Sequence, residues 1–184
     1  MTGSNPVEQY RQYRNSINGG GFTAKVYDID ELVDQFAYGI KKHPLSVKNF
    51  IRFAKATFSK QPSYVFLLGK GVTYDAYRAN EASPFAERLN LIPTWGWPAS
   101  DNLLVSADLS PIPSIGVARL SVVGTQEVTD YLQKVKDYES QALSTNQTIA
   151  SKAWMKQMAH VAGANDASLD ALLTFYLKTC TTIG

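Results

Sequence analysis

The feature of this sequence that most constrains the fold is the apolar run YVFLLG at residues 64–69. The run shows no alternation of polar and apolar side chains, it is rich in β-branched and aromatic residues, and Pro62 and Gly69 bound it. Such a run is typical of a strand buried on both faces in the middle of a parallel sheet. Ligands collect beyond the carboxyl ends of parallel strands, so the loop at residues 70–75 is where a functional site is first expected.

Segments of strand and helix character alternate along the rest of the chain. Further strands are predicted at residues 22–27, 114–122 and 154–162 from their composition, with a right-handed crossover from residues 22–27 to residues 64–69. Apolar residues at helical spacing predict helices that begin near Pro6, Asp28, Pro44, Thr125 and Asn165 or Asp166. This alternation predicts an α/β fold in which helices cover both faces of a mostly parallel sheet.

Residues 74–113 form an irregular excursion in this pattern, with five prolines, two tryptophans and several Asp, Asn and Ser residues. A segment of this length inside a compact domain is expected to be packed or functional rather than a plain connection. A small hairpin is predicted around residues 103–105. Trp95 and Trp97 either line a groove or, as large aromatics beside Gly and Pro more often do, anchor the loop to the core.

Length and composition favour a single domain over residues 1–184, since 45% of the residues are hydrophobic and 18% are charged. The formal net charge of +2 comes from 18 basic and 16 acidic residues that are mixed along the chain. No nucleic-acid partner is therefore predicted. With no long apolar run and no signal-peptide pattern, we expect no membrane insertion by this segment.

Three carboxylates of the excursion, Asp75, Asp101 and Asp108, could meet above the strand ends. Clustered oxygens are the ligands that Ca²⁺ prefers, so these residues are candidate metal ligands, and calcium is the one cofactor they suggest. The alternative is that each Asp caps a turn through its own side chain, which is the commoner role in loops. Arg119 lies inside an otherwise apolar strand and needs a partner if it is buried, and an acidic residue of the excursion is the natural candidate.

The run Gly69-Lys-Gly71 after the central strand invites comparison with a phosphate-binding loop. No glycine lies at the required spacing before the Lys, and Tyr74 occupies the third glycine position of a dinucleotide fingerprint. A tight turn after a strand is the favoured interpretation.

A thiol needs a nearby base to become a nucleophile, which raises the question of a pair formed by His160 and Cys180. His160 lies in a predicted strand and Cys180 on the apolar stripe of a helix, where an unactivated thiol behaves as a small hydrophobe. Structural roles are favoured for both. His43 is expected to be exposed at a helix start, with no thiol or carboxylate at ligand spacing. No catalytic residue is assigned within the chain.

An ordered series of motifs resembles the gingipain-type cysteine peptidase domain. The matching segments are residues 28–36, His43-Pro44, residues 64–69, Tyr74-Asp75, Ser100-Asp101, residues 113–120, Glu127, residues 134–139 and residues 154–163. The similarity runs from about residue 6 to residue 163. It is closest to the sortase-like peptidases of the type IX secretion system of Bacteroidetes.

This resemblance implies a caspase-like fold and an extracytoplasmic peptidase that cleaves, or cleaves and transfers, secreted proteins. In the family the catalytic His, followed by Gly, and the catalytic Cys lie downstream of the segment that residues 154–163 match. His160 and Cys180 do not match those motifs, so the catalytic pair is expected after residue 184. Lys70 stands where the family often has an acidic residue.

Two functions are therefore predicted as alternatives. The chain is the amino-terminal scaffold part of a cysteine endopeptidase, whose partners are protein or peptide substrates and the remaining half of the peptidase domain. Alternatively, it is a non-catalytic, partner-binding or structural domain of a secretion-system protein, since a fold does not determine a function. An apolar sheet edge is expected in either case, and association through that edge is predicted.

Overall fold

The computed structural model describes residues 5–108, 110–143, 148–157, 161 and 163–181; the side chains of residues 179–181 lie outside this description. The chain divides into two compact units, residues 1–139 and residues 140–184. The division falls at the start of the stretch rich in Ser, Thr, Asn and Gln. Each unit is described by itself below.

Seven helices and two strands are described between residues 5 and 142. Their order is α1 (Pro6–Asn15), α2 (Ile29–Phe36), α3 (Leu45–Thr57), β1 (Tyr64–Leu68), α4 (Tyr74–Ala79), α5 (Pro84–Leu89), α6 (Asn102–Val105), β2 (Gly116–Leu120) and α7 (Thr125–Ala142).

Helix starts are set by side chains that accept hydrogen bonds from free backbone amides. Asn5 and Asp28 each accept from the amide two residues further on, at 3.0 and 2.8 Å, and so begin α1 and α2 as predicted. The helix α7, predicted to begin near Thr125, has Thr125 as its first helical residue. The carboxylate of Glu127 accepts from two backbone amides just before the helix, both at 2.8 Å.

The strands β1 and β2 pair in parallel, with Tyr64 opposite Gly116 and Leu68 opposite Leu120. Both strands lie inside segments that the sequence predicts, and the α/β class is confirmed. The chain returns from the end of β1 to the start of β2 through α4, α5 and α6. The carboxyl ends of both strands therefore lie at the same edge of the sheet.

Successive residues of β1 contact helices on opposite faces of the sheet. Leu67 lies in the buried core with Val47 and Ile51 of α3 and Leu104 and Val105 of α6. On the other face the ring of Phe66 lies 5.3 Å from that of Tyr10 in α1 and 5.8 Å from that of Tyr131 in α7, centroid to centroid. Helices thus cover both faces, as the three-layer prediction requires.

The strand predicted at residues 22–27 is wrong, because this segment pairs with no other strand in the described part of the chain. Its backbone is bound to α1 instead: the amide of Phe22 donates to the carbonyl of Arg14 at 2.9 Å, and the amide of Ala24 donates to Asn15 Oδ1 at 2.7 Å. Among the described residues the predicted crossover from this segment to residues 64–69 is therefore not formed, and β1 pairs with β2.

The excursion at residues 74–113 is packed. It contains three short helices, α4, α5 and α6, where the sequence predicts irregular structure. The predicted hairpin at residues 103–105 is wrong, because these residues lie in α6, where Leu104 and Val105 are each 1% exposed. Two isolated bridges contribute to this packing, one between Thr73 and Thr94 and one between Ser106 and Pro113.

The second unit contains a 3₁₀ helix, Ala153–Lys156, and α8, Ala167–Thr181. The strand predicted at residues 154–162 is wrong at its start, since turn hydrogen bonds such as that from Met155 N to Lys152 O satisfy the backbone locally. Residues 158–160 and 162 lie outside the described residues. None of the helices in the described ranges is long and apolar enough to span a membrane.

Candidate functional site

Arg119 organises the carboxyl ends of the two strands. It lies near the end of β2, opposite Leu67, and its side chain is 13% exposed. Because paired residues of a parallel sheet point to the same face, the guanidinium lies on the side of α3 and α6, beneath the loops that follow β1. This is the edge at which the sequence predicts a functional site.

All five donors of the guanidinium are used in contacts with the protein. Nε and Nη2 bind the two carboxylate oxygens of Asp101 at 2.7 Å each, a bidentate pair. Nη1 donates to the carbonyls of Gly69 and Ile92 at 2.7 and 2.8 Å, and Nη2 also donates to Pro93 at 3.3 Å. The predicted acidic partner from the excursion is therefore present. The network joins β2 to two loops at this edge of the sheet, the loop that follows β1 and the loop between α5 and α6.

Asp101 remains ionised in this network. Burial acts to raise the pKa of its carboxyl, but hydrogen bonds from Arg119 and Thr94 outweigh burial and hold that pKa below its ordinary value. The side chain caps no helix, although Asp101 precedes α6. Its role is thus to neutralise Arg119 rather than to cap a turn.

Gly69 and Gly71 are explained by the close approach of residues 90–93 to the loop. A Cβ on Gly71 would lie 2.4 Å from the carbonyl oxygen of Ile92, and one on Gly69 would lie 2.9 Å from Leu91 Cβ. The φ of Gly69 is +155°, at the margin of the region that favours glycine. Both glycines therefore serve packing.

Three backbone amides of this loop are already bound within the protein. Gly69 donates to Leu120, Lys70 to Val122, and Val72 to the side chain of Asn90, at distances from 2.9 to 3.1 Å. A phosphate loop needs such amides free to face its ligand. The packed turn predicted here agrees with this arrangement.

The three predicted metal ligands do not come together. Asp101 binds Arg119, Asp108 contacts Arg52, and Asp75 is exposed in the first turn of α4. Among the residues described, no group of three or more His, Cys, Asp or Glu side chains could hold a metal ion. Two of the three carboxylates are thus neutralised by side-chain cations within the described part of the chain.

A buried lysine that the sequence analysis missed lies on the same side of the sheet. Lys48 of α3 has a side chain only 8% exposed, and its ammonium donates to the carbonyl of Leu103 at 3.1 Å. It also lies 5.0 Å from the centroid of the Trp95 ring and 3.6 Å from Asp108 Oδ1. The sequence feature that could have predicted this burial is the position of Lys48 between Val47 and Ile51 on the apolar face of α3.

The two tryptophans of the excursion behave differently. Trp95 packs against the core cluster of α3, β1 and α6, which confirms the anchoring role for this residue. Trp97 is 94% exposed and anchors nothing, so the anchoring role is wrong there.

The described histidine is engaged at the start of α3. His43 is half-buried rather than exposed: its Nδ1 accepts from the amide of Leu45 at 3.1 Å, and its ring packs 4.6 Å from that of Tyr74. Burial lowers the pKa of His43, so the imidazole is neutral at neutral pH. His160 and the side chain of Cys180 lie outside the described residues.

A parallel strand pair between helical layers, with its polar network at the carboxyl ends of the strands, defines an α/β protein of the three-layer kind. The family model of peptidase family C25 matches residues 3–182. The chain therefore belongs to peptidase family C25, the gingipain-type cysteine peptidases, whose fold is caspase-like. No curated protein and no solved structure matches the chain.

Proposed function

We propose that this chain is the amino-terminal scaffold part of a gingipain-like cysteine endopeptidase that processes secreted proteins. Membership of family C25 supports the chemistry, which is attack of a His-assisted thiolate on a peptide carbonyl. The observation that carries the scaffold role is the Arg119 network, which holds both loops at the strand ends in place. A catalytic site needs such a rigid rim if its groups are to keep their geometry.

Under this proposal the catalytic His and Cys lie in residues that follow Gly184, and the remaining half of the peptidase domain is the chain's partner. The free side of β2 supports this arrangement, because β2 pairs with β1 alone among the described strands. An edge strand presents backbone N–H and C=O groups with which a further strand could pair. The place of action is extracytoplasmic, by resemblance to the sortase-like peptidases of type IX secretion.

A non-catalytic, partner-binding role is the second candidate. It stays open because a fold does not by itself determine a function. Both candidates use the same scaffold, and they differ only in whether a catalytic pair is added to it.

The two candidates are separated by comparing this chain with a protein extended by its natural continuation. Each is incubated with fluorogenic peptides that vary the residue before the cleaved bond, and with a peptidyl ketone that labels reactive thiols. We expect the chain alone to hydrolyse nothing, and Cys180 to react no faster than an unperturbed thiol. We expect the extended protein to hydrolyse peptides and to be labelled at a later cysteine.

Two results would contradict the scaffold proposal. Hydrolysis by the chain alone that disappears in Cys180→Ala would place catalysis inside residues 1–184. An extended protein that neither hydrolyses nor reacts with the ketone would favour the non-catalytic candidate. Folding of each protein is checked by far-ultraviolet circular dichroism, so that an inactive protein is not mistaken for an unfolded one.

A further inference from the structure

An open cleft of about 470 Å³ lies between α3 and the segment that follows α6. Its floor is largely apolar and is formed by Ile51, Ala56, Leu104, Val105 and Ala107. Pockets of this size commonly hold a few side chains or a small ligand. The cleft therefore has room for part of a peptide.

The rim of the cleft is basic. Lys48, Arg52 and Lys55 recur at i, i+4 and i+7 along α3, so they lie on one side of the helix. Asp108 is the one carboxylate among the described lining residues, which leaves a formal charge of +2. No hydrogen bond or ion pair of Lys55 is present among the described residues, and its side chain is half-buried at the cleft.

Asp108 shows how a carboxylate is bound at this rim. It contacts Arg52 directly, and its Oδ1 lies 3.6 Å from Lys48 Nζ. Its side chain is 70% exposed, whereas that of Lys48 is 8% exposed and is held by Leu103 and Trp95. The ammonium of Lys48 is thus held in position by the protein. The carboxylate of Asp108 lies on the solvent side of it, where a carboxylate from another molecule can compete with Asp108.

We propose that this cleft binds an acidic peptide segment, with carboxylate side chains against Arg52 and Lys55 and apolar side chains on the floor. Charge complementarity identifies the occupant, because guanidinium and ammonium groups bind carboxylates through charge-assisted hydrogen bonds. A small inorganic anion would leave the apolar floor uncovered, whereas a peptide can place apolar side chains on it. An extended peptide that alternates acidic and apolar residues presents one kind of side chain to each part of the cleft.

The cleft is separate from the strand ends where the family's catalysis is proposed. Ser114, which lines the cleft, lies just before the start of β2, whereas Arg119 lies near its end. A five-residue strand spans roughly 13 Å from its first Cα to its last. Acidic-peptide binding therefore does not depend on the proposed peptidase activity, and it is tested without a catalytic readout.

The test uses the full chain and two fluorescein-labelled peptides, acetyl-ELELEL-amide and its matched control acetyl-QLQLQL-amide, followed by fluorescence anisotropy at low ionic strength. The acidic peptide is expected to bind about tenfold more tightly, as two or three exposed ion pairs would give. Raising the salt concentration should reduce this preference.

Variants of opposite charge change are expected to have opposite effects. Lys55→Gln should weaken binding of the acidic peptide about two- to fivefold, the range for one partly exposed ion pair. Asp108→Asn should tighten it by a similar factor, because the internal competitor for Arg52 loses its charge. Lys134→Gln on α7 removes the same formal charge elsewhere and is expected to change affinity less than about 1.5-fold.

Four results would overturn the proposal. They are equal affinity for the two peptides, weaker binding by Asp108→Asn, equal losses in Lys55→Gln and Lys134→Gln, and displacement of the peptide by inorganic phosphate but not by sodium chloride at matched ionic strength. The last would identify a small-anion site instead. Urea unfolding of each variant verifies that the folded state is retained.

Discussion

Replacement of Arg119 by Lys is the sharpest test of the network at the strand ends. The guanidinium makes five hydrogen bonds, two to Asp101 and three to loop carbonyls, from a side chain only 13% exposed. A lysine ammonium has three donors and no planar fork, so it cannot bind the carboxylate through two parallel bonds and also reach both loops.

The expected loss follows from the bonds that lysine cannot replace. A hydrogen bond to a charged group contributes about 1.5–3 kcal/mol, and at least two of the five are lost or lengthened. Solvent at the partly exposed Asp101 offsets some of this. We therefore expect the free energy of unfolding to fall by about 3 kcal/mol, which corresponds to a decrease in Tm of about 6–12 °C for a chain of this size.

The assay is urea unfolding at pH 7, followed by far-ultraviolet circular dichroism. Arg78→Lys is the matched control, because Arg78 forms an exposed ion pair with Glu81 at 2.6 Å and should change stability by less than about 0.5 kcal/mol. If Arg119→Lys were no more destabilising than the control, the reasoning that the network fixes the strand ends would be refuted.

The same network makes a prediction about pH. Although burial acts to raise it, the pKa of Asp101 is held below its ordinary value by hydrogen bonds from Arg119. The ion pair therefore contributes fully above the ordinary carboxyl pKa of about 4, and its contribution is lost as pH falls through the lowered pKa. The stability difference between the wild type and Asp101→Asn should be largest near neutral pH and should shrink in acid; a constant difference would contradict this account.

Three further substitutions test other contacts. Gly71→Ala should lower the free energy of unfolding by about 2 kcal/mol, measured by calorimetry, because its Cβ would lie 2.4 Å from the carbonyl oxygen of Ile92. Tyr77→Phe should cost about 1 kcal/mol in urea unfolding through loss of the 2.8 Å bond to Glu87. Burial and that bond raise the pKa of Tyr77 to about 12. An ultraviolet titration of Tyr77→Phe should therefore lack the tyrosine that ionises near this pH. Glu139→Gln should cost about 1 kcal/mol in urea unfolding at neutral pH and less in acid, since Glu139 binds two side chains of α1 and its pKa lies below the ordinary value.

Each of these substitutions has a control in which the same chemical change is made at a residue that lacks the buried contact. Gly163→Ala places a Cβ with nothing within 4 Å, Tyr38 is 91% exposed, and Glu81 forms an exposed pair with Arg78. Gly163→Ala, Tyr38→Phe and Glu81→Gln should each change stability by less than about 0.5 kcal/mol. A control that matched its test substitution would show that the named contact is not the cause.

The sequence predicts the central strand and its parallel neighbour because apolar, β-branched runs have few other stable environments. It also predicts that Arg119 has an acidic partner, since an unpaired buried guanidinium is too costly to keep. Both predictions depend on the free energy of transferring a side chain from water to the protein interior, which is set mainly by the residue type. That is why they hold without knowledge of the neighbouring elements.

The errors arise where the outcome depends on a particular neighbour. Residues 22–27 have strand composition, but β-propensity reports how well side chains fit a sheet, and here the amides bind α1 instead of a strand. Residues 103–105 are buried as predicted, although in a helical turn. Lys48 shows the same limit, because its burial depends on Trp95, which lies far along the chain.

Every N–H group of the Arg119 side chain donates a hydrogen bond within the protein. None is therefore available to donate to a bound peptide. The five hydrogen bonds of Arg119 connect β2 to the loop that follows β1 and to the loop between α5 and α6. Arg119 therefore acts as an internal brace, and under the proposed function we expect selectivity for one peptide over another to come from other side chains.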